Sequence, residues 1–301
     1  MKTNLAHWVL SKLPPELSHD VAKFAMRNFI AAPGTYSTGE GIKLFDAELP
    51  NPFGIAAGFD KYAELQDCVR RYGFGWIEEG SFTFGGGKGN KKPRLFRDAE
   101  SGGLINRMGL NCIPSEVAFE RLYESDQSSF AVSIAKTHNP SIVGDAAIRD
   151  MINSYKVLKN LGIYTVANTS CPNTKEGKTF EVPEIFRDLN AGLREEGKGR
   201  PLVYKFSPNL EIEALEQLVS ISSDADGYEI GNTLPTNHPA YGKGGLSGTT
   251  IRPLAIKTIA DLRDMTEKVI LGCGGISTGK HAYEMKMAGA DAFLAFNGFV
   301  Y

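Results

Sequence analysis

Apolar residues recur from residue 50 onward in short continuous runs, each of which ends in small or polar residues. Stretches with the apolar spacing of a helix separate most of these runs. Strands that alternate with helices predict a parallel sheet, and eight strands predict an α/β fold of the (β/α)8 TIM barrel type. The predicted strands are 53–57, 76–82, 130–136, 164–171, 202–207, 228–233, 269–276 and 292–299. The predicted helices are 64–72, 146–160, 183–195, 211–222, 251–266 and 278–287.

Before the barrel, residues 1–30 carry apolar residues at helical spacing in two short segments separated by a pair of prolines. The second segment is predicted to begin near Ser18. Such a helical pair either packs on the barrel or lies on a membrane surface, where the few cations on its polar face give weak attraction to lipid. We therefore divide the chain into an N-terminal helical segment, residues 1–40, and a barrel, residues 41–301. The sequence stops directly after the eighth run, so we expect the helix that closes such a barrel to be missing.

Composition narrows the class of protein. The chain has 301 residues, of which 42% are hydrophobic and 23% charged, as in ordinary soluble globular proteins. Its net charge of -2 gives no support to nucleic-acid binding. Four separated cysteines without a C-x-x-C pair, and histidines without metal spacing, argue against a metal site and a disulfide scaffold. With no apolar run of membrane-span length and no signal peptide, the default compartment is intracellular.

Polar side chains stand where the predicted strands end, which is the catalytic face of such barrels. Asn168, Asn173 and Asn232 lie at strand ends, and Asn106 is predicted on a loop over the same mouth. Asparagine is disfavoured in strands and offers a donor and an acceptor together, so this set favours a planar ligand. Two lysines, Lys61 and Lys205, also end apolar runs. Burying them requires an anionic partner, so we expect the ligand to be anionic.

A glycine-rich loop after the seventh strand predicts a phosphate site. Gly274-Gly275-Ile276-Ser277-Thr278-Gly279-Lys280 matches most of a P-loop, but His281 stands where a P-loop needs serine or threonine for Mg²⁺. Backbone amides at a helix start still bind phosphate, and barrels place phosphate after strands seven and eight. The loop therefore favours a phosphate-bearing cofactor over nucleotide hydrolysis. Cys171, in the polar motif at the end of the fourth strand, is the one cysteine with a candidate role, as a nucleophile or a base.

Seven motifs together resemble the dihydroorotate dehydrogenases, flavin enzymes of pyrimidine synthesis. In chain order they are 13–19, 51–61, 89–97, 104–111, 170–174, 244–248 and 274–276. The resemblance implies an FMN-binding barrel. It implies that FMN contacts Ala57, Gly58, Lys61, Ser81, Asn168, Lys205, Gly231, Gly248, Gly275, Phe296 and Asn297. It implies that dihydroorotate, or the product orotate, is held by Lys61, Asn106, Arg107, Met108, Gly109, Leu110, Asn168, Asn173, Asn232 and Thr233.

The resemblance also implies roles in the reaction. Cys171 takes a proton from the substrate, Thr174 relays that proton outward, and Lys205 stabilises negative charge on the reduced flavin. His19 and Arg97 resemble residues of the quinone-using branch, whose N-terminal helices form a quinone tunnel at a membrane surface. That branch normally has serine as base, whereas Cys171 resembles the soluble branch. A thiol is more acidic than a hydroxyl, so cysteine can act as base with less help.

We therefore expect a dihydroorotate dehydrogenase of UMP biosynthesis that uses FMN and passes electrons to a quinone. We expect it to be peripheral on the cytoplasmic face of the inner membrane, or on the mitochondrial inner membrane in a eukaryote. The alternatives are a cytoplasmic protein, fumarate as acceptor, a related dihydropyrimidine as substrate, and a catalytically silent barrel with a binding role. The oligomeric state does not follow from the sequence.

Overall fold

The computed structural model describes residues 5–28, 40–170 and 180–296, and for residues 5–7 and 9 it describes the backbone alone. The strands are β1 (Ile42–Leu44), β2 (Ala47–Leu49), β3 (Phe53–Ile55), β4 (Trp76–Phe82), β5 (Leu95–Asp98), β6 (Gly103–Asn106), β7 (Phe130–Ile134), β8 (Thr165–Asn168), β9 (Leu202–Phe206), β10 (Gly227–Ile230), β11 (Leu234–His238), β12 (Gly242–Ser247), β13 (Val269–Cys273) and β14 (Ala292–Ala295). The α-helices are α1 (Leu5–Lys12), α2 (Pro15–Arg27), α3 (Ser115–Leu122), α4 (Asp145–Leu158), α5 (Pro183–Glu196), α6 (Ile212–Ile221), α7 (Arg252–Met265) and α8 (Gly279–Met287).

The eight predicted apolar runs form the barrel. Strands β3, β4, β7, β8, β9, β10, β13 and β14 are parallel, each pairs with the next in this order, and β14 pairs with β3 to close the sheet. Strands β4, β7, β8, β9 and β10 are buried at every position. Their continuous apolar sequences follow from this burial, because helices cover the outer face and side chains fill the interior.

The ring of helices follows the predicted positions with two exceptions: the predicted helix 64–72 does not form, and helix α3 was not predicted. Helices α4 to α8 begin and end within a few residues of the predicted bounds. The predicted helix 64–72 was wrong, because only Val69–Tyr72 forms a short 3-10 turn. Ala63 adopts a positive φ of 53°, and the Asp60 carboxylate accepts hydrogen bonds from the Glu64 and Leu65 amides. Beyond this cap, the amides of Cys68 and Arg71 bond to carbonyls three residues earlier, so the segment forms turns and not an α-helix.

The N-terminal helices lie against the barrel mouth. Helix α2 begins at Pro15, three residues before the predicted start, because proline at the first helical position loses no hydrogen bond. Met26 enters the hydrophobic core of the barrel. The Arg97 guanidinium donates to the Leu13 carbonyl at 2.6 Å and to the Leu10 carbonyl at 3.2 Å, which ties the α1–α2 turn to strand β5.

A four-stranded antiparallel sheet, in the order β11-β12-β6-β5, stands beside the mouth and was not predicted. Asn106, predicted on a loop, ends strand β6. Strand β12 escaped prediction because it carries three glycines, a residue that strands disfavour. Gly245 is required there, since a side chain would collide with the Thr233 hydroxyl.

Two further expectations concern the membrane and the chain end. Among the described residues, no helix combines the length and the apolar character needed to cross a membrane. The expected absence of the closing helix falls on residues 297–301, which lie outside the described ranges. That expectation and the division at residue 40 stay predictions.

Candidate active site

The carboxyl ends of the barrel strands, helix α2 and the antiparallel sheet enclose one cavity of about 600 Å³. Its volume falls within the range of small-molecule and cofactor sites, roughly 300–1,000 Å³. Fifteen of the predicted site residues line it, and they come from both halves of the chain. They are His19, Ala57, Gly58, Lys61, Ser81, Asn106, Met108, Leu110, Asn168, Lys205, Asn232, Thr233, Gly248, Gly275 and Phe296.

Amides and hydroxyls form a connected network on one wall of the cavity. The Asn168 side-chain amide donates to Ser81 Oγ at 3.2 Å, and the Ser81 and Ser133 hydroxyls lie 2.8 Å apart. Asn232 Nδ2 donates to Ser170 Oγ at 2.8 Å and lies 3.4 Å from Asn168 Oδ1. The network fixes the orientation of the asparagine side chains, so their remaining polar atoms are held ready for a planar ligand.

Glycines make a cradle at the far end of the cavity. Gly248 and Gly275 have φ values of 123° and 70°, and a Cβ at Gly275 would lie 2.7 Å from the Gly248 carbonyl oxygen. Only glycine allows the two loops to approach so closely. The Gly275 loop leads into helix α8, whose first turn is capped by the Thr278 hydroxyl. Two backbone loops at a helix start, after strands β12 and β13, fit a phosphate group.

Lys61 lines the cavity beside another asparagine. Its Nζ donates to Asn111 Oδ1 at 3.2 Å, and Asn111 in turn approaches the Tyr62 hydroxyl at 3.4 Å. Asn111 and Tyr62 both line the cavity but were not predicted. Asn111 closes the motif that begins at Leu104, so its position beside Asn106 in the sequence was the available signal.

Lys205 lies at the floor of the cavity with 5% of its surface exposed. The predicted anionic partner turns out to be a side chain, because Lys205 Nζ lies 2.6 Å from Glu229 Oε1 on the neighbouring strand. Behind this pair stands Glu78, whose carboxyl accepts hydrogen bonds from the Tyr164 hydroxyl and the Ala57 amide. Neither glutamate was predicted, although each interrupts an apolar run and so carried a signal.

Cys273 also lines the cavity, beside Lys205. Burial raises the pKa of its thiol to about 12, with Lys205 acting against that rise. The thiol therefore stays protonated near neutral pH and is a poor nucleophile.

Four predicted residues are placed away from the cavity wall. Gly231 has a φ of 147° where β10 ends, and a side chain there would collide with the Cys273 carbonyl. Arg107 donates to the Tyr241 carbonyl at 2.5 Å, and Gly109 packs against Asn90. Arg97 binds the α1–α2 turn, as described above, and Arg94 lines the cavity in its place. Gly231, Arg107, Gly109 and Arg97 therefore do not line the cavity.

Four other predicted residues, Cys171, Asn173, Thr174 and Asn297, lie outside the described residues.

Helix α2 forms the outer wall of the cavity. His19 lies there with Nε2 2.7 Å from the Phe59 carbonyl oxygen and its ring edge-on to the Phe59 ring. Burial, followed by the charges of Lys23 and Lys61, lowers the pKa of His19 to about 4. The imidazole is therefore neutral near pH 7 and donates a hydrogen bond to the Phe59 carbonyl oxygen.

Among the described residues no cluster of potential metal ligands occurs.

The fold and the cavity define a (β/α)8 barrel with a cofactor-sized site at the carboxyl ends of its strands. The family model described as dihydroorotate dehydrogenase matches residues 41–301. The chain belongs to the dihydroorotate dehydrogenase family, whose members are generally flavin-dependent.

Similar proteins point to one branch of this family. A Natronomonas pharaonis protein named dihydroorotate dehydrogenase (quinone) is 35% identical over 270 residues, which cover 86% of this chain and 76% of that protein. A Halobacterium salinarum protein of the same name is 30% identical over 306 residues, covering 96% of this chain and 87% of that protein. A crystal structure of Eimeria tenella DHODH with ferulenol superposes with a TM-score of 0.87 at 26% identity and covers 97% of this chain and 90% of that chain.

Proposed function

We propose that this protein is an FMN-dependent dihydroorotate dehydrogenase that oxidises dihydroorotate to orotate in pyrimidine biosynthesis and passes the electrons to a quinone. One observation carries the proposal beyond family membership. A single cavity joins a phosphate-sized glycine cradle, a wall of oriented amides, two lysines and the outer helix α2. Such a site can hold a flavin, its substrate and an approaching acceptor together.

The residues present fit FMN. The Gly248 and Gly275 loops match its phosphate, and the cavity floor at Lys205 matches the ring edge where negative charge develops. Ser81 and Asn168 offer hydrogen bonds to the polar edge of the ring. Bound FMN would supply the hydride acceptor for the reaction. The ammonium of Lys205 would stabilise the added charge, because an oriented charge in a site shielded from water costs no reorganisation.

The substrate would lie between the flavin and the entrance. Lys61 would bind its carboxylate, and Asn106, Asn168, Asn232 and the predicted Asn173 would hydrogen-bond its ring amides and carbonyls. In the predicted reaction the substrate loses a proton from carbon 5 and a hydride from carbon 6. Cys171 would accept that proton, which Thr174 would relay to solvent.

The quinone acceptor is supported by the names of the relatives and by helix α2. His19 and Phe24 of this helix line the cavity, so a path runs from the outer helices toward the strand ends. The helical segment, residues 1–40, would serve the acceptor, and the barrel, residues 41–301, would serve the flavin and the substrate. We also propose that the segment associates with a membrane surface, with the protein peripheral rather than membrane-spanning.

A second acceptor, fumarate, has support from the sequence alone. The cations that line the cavity mouth, Lys23, Lys92 and Arg94, are paired with the Asp60, Glu64 and Glu16 carboxylates, so they give no net attraction to a dianionic acceptor. Cys171, which resembles the soluble branch, is consistent with this alternative.

The test uses the full chain. The purified protein should show a flavin spectrum, lose its visible absorbance on anaerobic mixing with dihydroorotate, and regain it faster with a short-chain quinone than with fumarate. A preparation that neither contains nor takes up FMN, or whose bound FMN is not reduced by dihydroorotate, would refute the proposed activity. Faster recovery with fumarate would reject the quinone and retain the dehydrogenase.

A further inference from the structure

An ionic cluster lies inside the barrel beneath the floor of the cavity. Lys205 on β9 and Glu229 on β10 occupy paired register positions of neighbouring parallel strands, so both side chains point into the barrel. Their side chains are 6% and 0% exposed, and Nζ and Oε1 are 2.6 Å apart. Lys205 lines the cavity, whereas Glu229 lies behind it. The carboxylate therefore binds the ammonium from the side away from the proposed flavin.

A second carboxyl completes the cluster. Glu78 on β4 is fully buried, and the Tyr164 hydroxyl donates to its Oε1 at 3.0 Å while receiving a hydrogen bond from Trp76. The Glu229 carboxyl also receives hydrogen bonds from the Cys273 thiol and from Glu78, so the two carboxyls face each other. The groups that face the two carboxyls are the Lys205 ammonium, the Cys273 thiol, the Tyr164 hydroxyl and the Ala57 amide.

The charges do not balance unless one carboxyl carries a proton. One ammonium faces two carboxyls, and burying an uncompensated carboxylate is costly. Burial and the charge of Glu229 raise the pKa of Glu78 to about 8. Burial is the largest single influence on the pKa of Lys205 and lowers it, but Glu229, Cys273 and Glu78 together outweigh burial and the net shift is upward. Near pH 7 the cluster therefore holds charged Lys205, charged Glu229 and neutral Glu78.

We propose that Glu229 is a positioning residue that holds Lys205 against the flavin site and, by compensating its charge, lowers the reduction potential of bound flavin. Glu78 is the neutral carboxyl of the cluster, and it ionises when Glu229 is removed or when the medium becomes alkaline. This inference rests on the proposed function, because it requires FMN above Lys205. The cluster would set the reduction potential of the flavin, which the residues that contact the substrate and the flavin do not set by themselves.

The physical argument concerns the difference between two redox states. Reduction places negative charge on the flavin, so a nearby cation favours the reduced form and raises the potential. A carboxylate 2.6 Å behind that cation opposes the effect through the same low-dielectric interior. The reduction potential reports the ratio of the affinities for oxidised and reduced FMN, so a purely structural defect that weakens both equally leaves it unchanged.

Three glutamine variants test the cluster: Glu229→Gln, Glu78→Gln and the double variant. Each bound-flavin potential is measured at pH 7 by equilibration with a reference dye, using a chemical reductant so that no dihydroorotate is needed. Glu78→Gln should match the wild type, because Glu78 is already neutral. Glu229→Gln should shift the potential to a more positive value, although Glu78 then ionises and limits the shift. The double variant should show the largest positive shift, with reduced FMN bound more tightly than oxidised FMN.

A second measurement covers the case in which the Glu229 variants do not fold. At pH 9 Glu78 should be ionised in the wild type, so its potential should fall below that of Glu78→Gln although the two agree at pH 7. If the potential of Glu229→Gln and of the double variant equals that of the wild type, or if wild type and Glu78→Gln coincide at pH 9, the inference is wrong. Absence of bound FMN in the wild type would instead refute the proposed function, and this inference with it.

Discussion

His19 is a neutral imidazole in the folded protein, held against Phe59 by a 2.7 Å hydrogen bond. Its pKa of about 4 in the fold lies below the ordinary value of 6.5, with burial as the main cause. A group whose pKa is lowered by folding stabilises the protein above its unfolded pKa, and this contribution is lost as the pH falls. We expect the free energy of unfolding to drop between pH 6.5 and pH 4, by at most about 3 kcal/mol for this group.

Urea unfolding at pH 7 and at pH 4.5 measures this contribution. His19→Gln is the matched comparison, because the glutamine amide can still donate to the Phe59 carbonyl but does not titrate. The variant should lose less stability on acidification than the wild type. Equal losses would show that His19 is not responsible for the acid dependence.

Cys171 carries the predicted chemistry, although it lies outside the described residues. Cys171→Ala should slow flavin reduction by dihydroorotate by roughly 10²–10⁴-fold while FMN stays bound, because a general base contributes about that much. Cys171→Ser should recover part of the rate only at higher pH, since a hydroxyl is a far weaker acid than a thiol. Anaerobic stopped-flow reduction across pH checks both variants. An unchanged rate in Cys171→Ala would remove Cys171 from the role.

At the residue scale, the sequence indicates that a buried charged side chain requires a partner of opposite charge, but it does not indicate which residue that partner is. Lys205 ends an apolar run, and this alone predicts that it requires an anion. The identity of that anion depends on the pairing register of β9 and β10, which sets Glu229 beside Lys205 across 24 residues of sequence. Arg97 shows the converse case, because its motif pointed toward the acceptor path while its guanidinium binds the α1–α2 turn.

At the scale of elements, helix α2 is fastened to the barrel by a buried ion pair. Lys23 Nζ lies 2.6 Å from Asp60 and 3.0 Å from Glu64, and the Asp60 carboxylate is fully buried. Beside it, burial and the charge of Asp60 raise the pKa of Glu79 well above its usual range, so Glu79 stays neutral. Lys23 is therefore the cation that compensates Asp60.

Lys23→Met should lower the free energy of unfolding by about 3–5 kcal/mol, since it leaves a buried carboxylate without its partner. Arg27→Met is the matched control. Arg27 belongs to the same helix and pairs with Glu64 at 2.9 Å, but its side chain is 53% exposed. The control should cost less than about 1 kcal/mol, because water screens an exposed pair. Denaturant unfolding compares the two variants, and equal costs would contradict the role of Lys23.

Strands and helices were predicted correctly where a single physical cause, burial on one face or on both, determines the apolar pattern of the sequence. Strands covered on both faces give continuous apolar runs, and helices on the barrel give a single apolar stripe, so both could be recognised from sequence. Strand β12 was not predicted because its glycines disfavour a strand. One of them, Gly245, is required because a side chain there would collide with Thr233, which becomes its neighbour only in the fold. The prediction of a helix at 64–72 was wrong because the amides of Cys68, Arg71 and Gly73 bond to carbonyls three residues earlier, which gives a series of turns that an apolar pattern does not distinguish from an α-helix.

At the scale of the whole molecule, the apolar side of the N-terminal helices borders the entrance of the cavity. Leu17, Val21 and Phe24 recur along one face of α2 and are 48%, 40% and 57% exposed, while Trp8 of α1 is 54% exposed. Phe24 also lines the cavity. If the proposed membrane association holds, we expect this exposed apolar face to insert shallowly into the boundary between lipid headgroups and acyl chains. A quinone dissolved in the bilayer would then meet the cavity without crossing water.

Leu17→Glu/Val21→Glu, two exposed residues of α2 that do not line the cavity, should therefore abolish sedimentation with phospholipid vesicles and slow reoxidation by a long-chain quinone presented in those vesicles. Reoxidation by a water-soluble short-chain quinone should be retained, because the strand ends and the flavin site are unchanged. Tyr283→Glu/Met287→Glu is the matched control, since these residues form an exposed apolar pair on α8, 61% and 69% exposed, away from the cavity wall. If the control loses vesicle binding as strongly as the α2 variant, the surface is not specific to the N-terminal helices. If neither variant differs from the wild type, these helices serve only as the outer wall of the cavity.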